Sequence, residues 1–406
     1  MKRVALIGNM NNNFFAITRL LRDKGYDAHL YYRSLSEHFQ PKSDTFSLNF
    51  YDYCHPIDWL DKSFELADFG RIKKEVAGFD FYIGQGDEAA FAKRAGINFN
   101  LYYPYGSDFY KYAYLPSKNS WKERVYMALV KGIPLSKSRN GTVHKYIRKV
   151  IVDAENVFLD LTNPEYDQKL FDLNLKGEFE ALPMPFIYPD EYLNRTDWDT
   201  HWKSSIDALR HENEFIVLYH GRQEWKKALE YSGNSFTNKN THHLIIGFSK
   251  FVEKYPNIKA QLLMLDYGGD VANSKNLIEE LNISNRVTWF PKMYRKDLMY
   301  LINNVDLCSG EFGKSYLTFG TIIEAMLMGK PIVHHRIDEY YSKKYSELYP
   351  MYNARSPEEI GNAIINAYED PDARLQTGKK AQEWVLKYFI DNPLNELRKL
   401  IDKTND

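Results

Sequence analysis

One glutamate stands alone in the apolar run Ile322-Ile323-Glu324-Ala325-Met326-Leu327-Met328. At helical spacing such a run is buried on most sides, and a carboxylate buried without a partner is costly, so Glu324 must serve something. Gly320 lies one turn earlier on the same face. Helical side chains lean towards the N-terminus, so the carboxylate points back at whatever the helix start binds. The preceding residues, Ser309-Gly310-Glu311-Phe312-Gly313-Lys314-Ser315-Tyr316-Leu317, read as a strand end and a glycine-containing loop, with a helix opening near Thr318-Phe319-Gly320-Thr321. Free N–H groups at a helix start make an anion site, and Gly320 lets a phosphate approach the backbone. This spacing offers a seat for a diphosphate at Thr318 to Thr321 and, on Glu324, a bidentate acceptor for the two hydroxyls of a nucleotide ribose. The bland alternative is a carboxylate that caps a neighbouring backbone.

A second cluster supplies cations. His220-Gly221-Arg222 and Asn238-Lys239-Asn240-Thr241 follow strand ends or precede a helix on the same edge. An arginine and a lysine beside a diphosphate neutralise charge that grows as the leaving group departs. Lys226 and Lys227, nearer to Arg222, offer the same service, and a solvated surface position is the commoner fate of any lysine.

The elements that must hold these groups alternate. In the second half the expected order is strand Phe215 to Tyr219, helix Thr241 to Glu253, strand Ala260 to Leu265, helix Ser274 to Leu281, strand Val287 to Phe290, helix Arg295 to Ile302 and strand Val305 to Cys308. A helix Phe319 to Met328 and a strand Pro331 to His334 follow. Ser356-Pro357-Glu358-Glu359 carries the N-cap, proline and capping-box glutamate of a further helix, and helices Ala373 to Phe389 and Leu394 to Lys403 close the chain. The first half opens as a βαβ unit: strand Val4 to Ile7, loop Gly8-Asn9-Met10-Asn11-Asn12-Asn13, helix Phe14 to Lys24, strand Ala28 to Tyr32. Parallel sheets bind ligands beyond the carboxyl ends of their strands, so Gly8, Asn9, Asn11 and Asn12 face the functional edge. That loop lacks the full dinucleotide glycine fingerprint, which disfavours a nicotinamide-dependent oxidoreductase. Further strands are expected at Phe79 to Gly84, Asn98 to Tyr103 and Val150 to Leu161. The fold class is α/β with two Rossmann-like, doubly wound parallel-sheet domains: 1–185, then a connection 186–214, then 215–385, with 386–406 a C-terminal helix that packs back on the first domain.

Composition removes several alternatives. With 406 residues, 44% apolar, 31 tyrosines and 24 phenylalanines, the chain is long enough for two cores and too aromatic for disorder. Lys plus Arg total 53 against 54 acidic residues, so no global field recruits nucleic acid. The two cysteines, Cys54 and Cys308, lie far apart in apolar surroundings, which points to a reducing, cytoplasmic compartment without a disulfide framework or zinc spacing. Met1-Lys2-Arg3 before Val4 to Ile7 mimics a signal peptide, but the asparagines that follow mark a first strand instead. No segment reaches the ~20 apolar residues of a spanning helix.

Gly221-Arg222, Lys239 before an amphipathic helix, Phe319-Gly320, and Glu324-Ala325-Met326 followed by Gly329-Lys330-Pro331 together resemble the C-terminal domain of family 4-type (group 1) glycosyltransferases of the GT-B fold, over roughly residues 215 to 390. The resemblance implies a metal-independent, retaining transferase without cofactor. It implies a nucleotide-diphosphate sugar donor, UDP-linked by preference and GDP-linked as the alternative, bound in the interdomain cleft. Arg222 and Lys239 would then meet the diphosphate and Glu324 the ribose. The family carries a glutamate eight positions before Glu324, where this chain has Tyr316, which leaves Glu311 for the donor sugar. Where the family has a histidine near the reacting carbon, Tyr103-Pro104-Tyr105-Gly106-Ser107-Asp108 puts Tyr105, with Asp108 in a supporting role. A phenol donates a hydrogen bond but is a poor base at neutral pH.

The resemblance also implies a saccharide or lipid-linked acceptor, in bacterial polysaccharide or glycoconjugate assembly. In the basic stretch 114–148, Trp121 to Lys131 is apolar at helical spacing. Two readings apply: a helix packing Trp121, Val125 and Leu129 on its domain, or a peripheral contact with the inner face of a membrane. Two other functions share the architecture, a nucleotide-sugar epimerase and a catalytically silent nucleotide-binding subunit.

Overall fold

The computed structural model describes residues 1–34, 36–115, 120–132, 134–135, 143–160, 172–226, 238–315, 317 and 320–404. The chain forms two compact units, Met1–Tyr188 with Phe389–Asp406, and Pro189–Tyr388.

The first unit is built on seven parallel strands: β1 (Arg3–Ile7), β2 (Asp27–Tyr32), β3 (Cys54–Pro56), β4 (Phe81–Gly84), β5 (Leu101–Tyr102), β6 (Asn156–Leu159) and β7 (Glu178–Ala181), in the order β3-β2-β1-β4-β5-β6-β7. Helices cover both faces, so the central strand has no wet side and Val4, Ala5, Leu6 and Ile7 are wholly buried. The chain leaves β1 towards β2 and leaves β4 the other way towards β5. The carboxyl ends of this neighbouring pair are therefore the switch point where such sheets hold ligands.

Val150 to Leu161, expected as one strand, divides into the helix Val143–Asp153 and β6. Ile147, Val150 and Ile151 form a buried stripe at helical spacing that faces the helix Gly86–Arg94, so packing overrides the strand preference of β-branched residues. The helix Trp121–Lys131 carries the capping box of Ser120 and Glu123. Of the face expected to pack inwards, Val125 is half-buried but Trp121 is 64% and Leu129 81% exposed, and Tyr126 and Val130 next to it are exposed too, so the packing of Trp121 and Leu129 on the domain is overturned. The last helix, Asn392–Lys403, lies against the helix Asn13–Asp23 with Leu394, Leu397 and Ile401 buried. Lys2 Nζ donates to its final carbonyls, Ile401 at 2.6 Å and Asp402 at 2.8 Å.

The second unit repeats the plan with β8 (Phe215–Tyr219), β9 (Ala260–Asp266), β10 (Val287–Pro291), β11 (Leu307–Ser309), β12 (Ile332–His334) and β13 (Tyr352–Asn353), all parallel in the order β10-β9-β8-β11-β12-β13. Its switch point lies beyond β8 and β11, where His220 and Gly310 emerge. The stretch 186–214 contains the helix Lys203–Glu212, whose Arg210 donates to Asp306 at 2.5 Å.

Candidate active site

Glu324 sits on the helix Gly320–Leu327, in which every residue from Thr321 to Leu327 is buried. Its partners are side chains rather than the backbone groups of the bland alternative. His220 Nε2, just beyond β8, lies 3.0 Å from Oε2, and Arg295 Nε, opening the helix Arg295–Asn303 after β10, lies 2.9 Å from Oε1. Burial alone would raise the carboxyl, but the His220 hydrogen bond and the Arg295 charge win and hold it at about 2. An ionised carboxylate only accepts, so His220 Nε2 carries the proton in that bond. His220 Nδ1 is buried with no hydrogen-bond partner among the described residues.

Lys239 and Glu311 form a second buried pair, Nζ to Oε2 at 2.5 Å. Burial pulls the lysine down and pushes the glutamate up, while their mutual attraction opposes both. The backbone fixes the lysine between two loops: Lys239 N–H donates to Glu224 O at 2.6 Å, and Phe312 N–H donates to Lys239 O at 3.1 Å. Gly313 is required there, since a Cβ would stand 2.2 Å from the Asn238 carbonyl oxygen. Asn240 takes a left-handed conformation to turn the chain into the helix Thr241–Lys254.

Arg222 is exposed, yet near enough to act electrostatically on Lys239 and Glu311. Its loop is held from below: Tyr219 Oη donates to Arg222 O at 2.9 Å, and a Cβ on Gly221 would meet that phenol oxygen at 2.7 Å. Buried Asp270 accepts from the N–H groups of Trp225 and Lys226, and Ser274 bridges Trp225 and Gln223. Lys226 is exposed, and Lys227 lies outside the described residues.

Tyr316, Thr318 and Phe319 also lie outside the described residues. Of the helix start, Gly320 and Thr321 are described, and the Thr321 hydroxyl is buried with no hydrogen-bond partner among the described residues. The loop leading there is pinned at Ser315, whose Oγ accepts from Ile337 N–H at 2.8 Å and whose carbonyl accepts from Tyr341 Oη at 2.5 Å.

In the first unit the Gly8 to Asn13 loop is knitted to itself and to Gln85. Gly8 has φ +107° with Gln85 atoms 2.6 to 2.7 Å from where a Cβ would be. Asn9 Oδ1 accepts from Phe15 N–H, Asn9 Nδ2 donates to Asn12 Oδ1, and Asn12 Nδ2 donates to Gln40 O and Ser43 Oγ. Asn11 stands exposed with φ 52°. Asp108 has no exposed surface and accepts from Tyr102 Oη and from the N–H groups of Gly86, Gly106 and Phe109. Burial lifts it to about 6 against those donors. Its carboxylate is taken up by these loop donors, so the support it gives is to the loop that carries Tyr105. Tyr105 is half-buried with its phenol pushed far up by burial, so it is a donor and not a base. Beside it and Gly86 stands half-buried Glu88, raised to about 7 chiefly by burial.

Sequence reasoning missed Arg295, Asp270, Ser274 and Glu88. An arginine or aspartate at a helix start is indistinguishable in sequence from a cap or a solvated charge, and the partners of each are remote in the chain.

Residues 203–384 match the model of the family described as glycosyl transferases group 1. No curated protein matches the chain. Among solved structures, the chain is similar to sucrose-phosphate synthase from Thermosynechococcus elongatus, at 15% identity over 99% of each chain with a TM-score of 0.57. It is similar to Anabaena HepE in complex with UDP and glucose, at 14% identity over 99% of this chain and 100% of that one, TM-score 0.60. It is also similar to a glycosyltransferase from Rickettsia africae, at 12% identity over 100% of this chain and 99% of that one, TM-score 0.59. At these identities the likeness is one of fold.

Proposed function

We propose, for a chain that carries a glycosyl transferases group 1 domain and is a GT-B glycosyltransferase using a nucleotide sugar, that the donor is a UDP-sugar held on the second unit. One observation carries this reading. Around the switch point of β8 and β11 stand an ionised carboxylate, Glu324, a helix start whose Thr321 hydroxyl has no hydrogen-bond partner among the described residues, and the cations Arg222 and Lys239. That set matches a ribose diol and a diphosphate in kind. The UDP preference draws on HepE, which binds UDP in its solved complexes.

In the proposed reaction the bond from the anomeric carbon to the diphosphate oxygen breaks and its electron pair leaves with the nucleotide. Arg222 and Lys239 stabilise that charge without a metal. An acceptor hydroxyl of a saccharide or lipid-linked saccharide attacks the same face and retains configuration, and its proton passes to the departing phosphate. We assign contact with the donor sugar to Glu311, which is paired with Lys239. Bacterial polysaccharide or glycoconjugate assembly, on the cytoplasmic side, is the setting we propose.

Thermal shift of the purified protein with UDP, GDP and ADP tests the donor site, because a ligand selective for the native state raises its stability. UDP is expected to raise Tm, and Arg222→Ala, an exposed position, to remove most of the rise. No shift with any nucleotide would refute the assignment.

A second proposal concerns the acceptor side. No helix among the described residues is long and apolar enough to cross a membrane. The exposure of Trp121, Tyr126, Leu129 and Val130 on one basic-flanked helix favours a peripheral contact with anionic lipid, which vesicle binding tests.

A further inference from the structure

We propose that Arg295 and His220 are positioning residues that set both oxygens of Glu324 for the ribose hydroxyls, so that discrimination between ribo- and deoxyribonucleotides depends on them. The inference rests on the reading of Glu324 as the ribose acceptor.

A carboxylate offers about four lone-pair sites, two on each oxygen. His220 Nε2 takes one on Oε2 at 3.0 Å and Arg295 Nε takes one on Oε1 at 2.9 Å. One site remains on each oxygen, the number a vicinal diol needs. The two clamps arrive from different strand ends, His220 from β8 and Arg295 from beyond β10, so the carboxylate plane cannot turn without breaking one of them. All three side chains are nearly inaccessible, at 1% for His220, 9% for Glu324 and 10% for Arg295. Without the clamps, burial would drive Glu324 towards its protonated form, in which one oxygen becomes a donor and the match to two hydroxyl donors is lost.

The bonding of the His220 ring among the described residues separates this role from a purely architectural one. A core histidine kept for the fold has both ring nitrogens bonded as a rule. Among the described residues Nδ1 is buried with no hydrogen-bond partner and the ring's one hydrogen bond is to Glu324.

The test is titration calorimetry of the full chain with UDP and with 2′-deoxy-UDP. Wild-type protein is expected to prefer UDP by roughly tenfold or more, the worth of one hydrogen bond to a charged group. Arg295→Met and His220→Phe are expected to bring that ratio close to one while UDP still binds through its diphosphate. Arg295→Lys, which keeps a charged donor, is expected to restore part of it. Should Arg295→Met fail to fold, the double variant with Glu324→Gln leaves no buried charge unpaired, and His220→Phe carries the comparison alone. An unchanged ratio in folded Arg295 and His220 variants overturns the inference and leaves the ribose reading standing. Wild-type protein that binds both nucleotides equally overturns the ribose reading and the inference with it.

Discussion

A buried glutamate held at about 2 is a statement about stability as well as about binding. The ordinary value is near 4.5, so the folded state favours the ionised form, and the stabilisation is fully present above the unfolded pKa and lost as pH falls through the folded one. Its size is on the order of 3 kcal/mol. Glu324→Gln removes it and leaves Arg295 buried beside an uncharged amide. The variant is therefore expected to be less stable than wild type by a few kcal/mol at pH 7, and the gap to close between about pH 5 and pH 2. Denaturant unfolding of both proteins across that range measures it. A gap that stays constant with pH would mean that the pair contributes no charge-dependent stability. Glu324 could be singled out in the sequence because it is the one polar side chain in the apolar run from Ile322 to Met328. Arg295 could not, because Arg295-Lys296-Asp297 reads as an ordinary polar helix start and its partner lies twenty-nine positions away. Lys239 and Glu311 were each readable as candidates, but their pairing was not, since only the close packing of two loops at Gly313 brings them together.

Elements were legible where their pattern was strong and their neighbours agreed. The strands β1, β8 and β9 are apolar runs bounded by polar loops, and the capping box at Ser356 marks its helix start to the residue. β3, β7 and β13 escaped because strands at or near a sheet edge are short and carry few apolar residues, as in Glu178-Phe179-Glu180-Ala181. The helix Trp121–Lys131 shows the opposite error: its apolar spacing was visible, but spacing does not reveal whether a partner covers it. With Trp121, Tyr126, Leu129 and Val130 exposed and Lys122 beside them, this helix is expected to bind vesicles containing phosphatidylglycerol more tightly than vesicles of phosphatidylcholine alone. Each inserted apolar side chain contributes about 1.5–3 kcal/mol, so replacing both Trp121 and Leu129 by Glu should weaken binding by at least about tenfold, and added salt should weaken it further. Co-sedimentation reads this directly. Equal binding by the double variant, or none by wild type, would exclude the contact.

At the scale of the whole molecule the chain does not divide once but twice: it leaves the first unit at Tyr188, builds the second, and returns at Phe389. A turn of π-helix, Leu386–Asp391, spans the point of return. The returning helix completes the first core. Leu394, Leu397 and Ile401 are buried on it, Tyr26 Oη donates to Asp402 Oδ1 at 2.8 Å, and Lys2 satisfies the carbonyls at its end. Burying three such side chains is worth on the order of 5 kcal/mol, a large part of the stability of a domain this size. Deleting residues 392–406 should therefore lower the unfolding temperature of the first unit and leave the second unit, with every donor-site residue named above, able to bind UDP. Calorimetry with and without UDP separates the two: in the truncated protein the transition that UDP raises should stay where it was, and the other should fall by ten degrees or more, as a loss of that size predicts. If both transitions fell together, the units would be one cooperative system and the final helix would support the donor site as well as the first core.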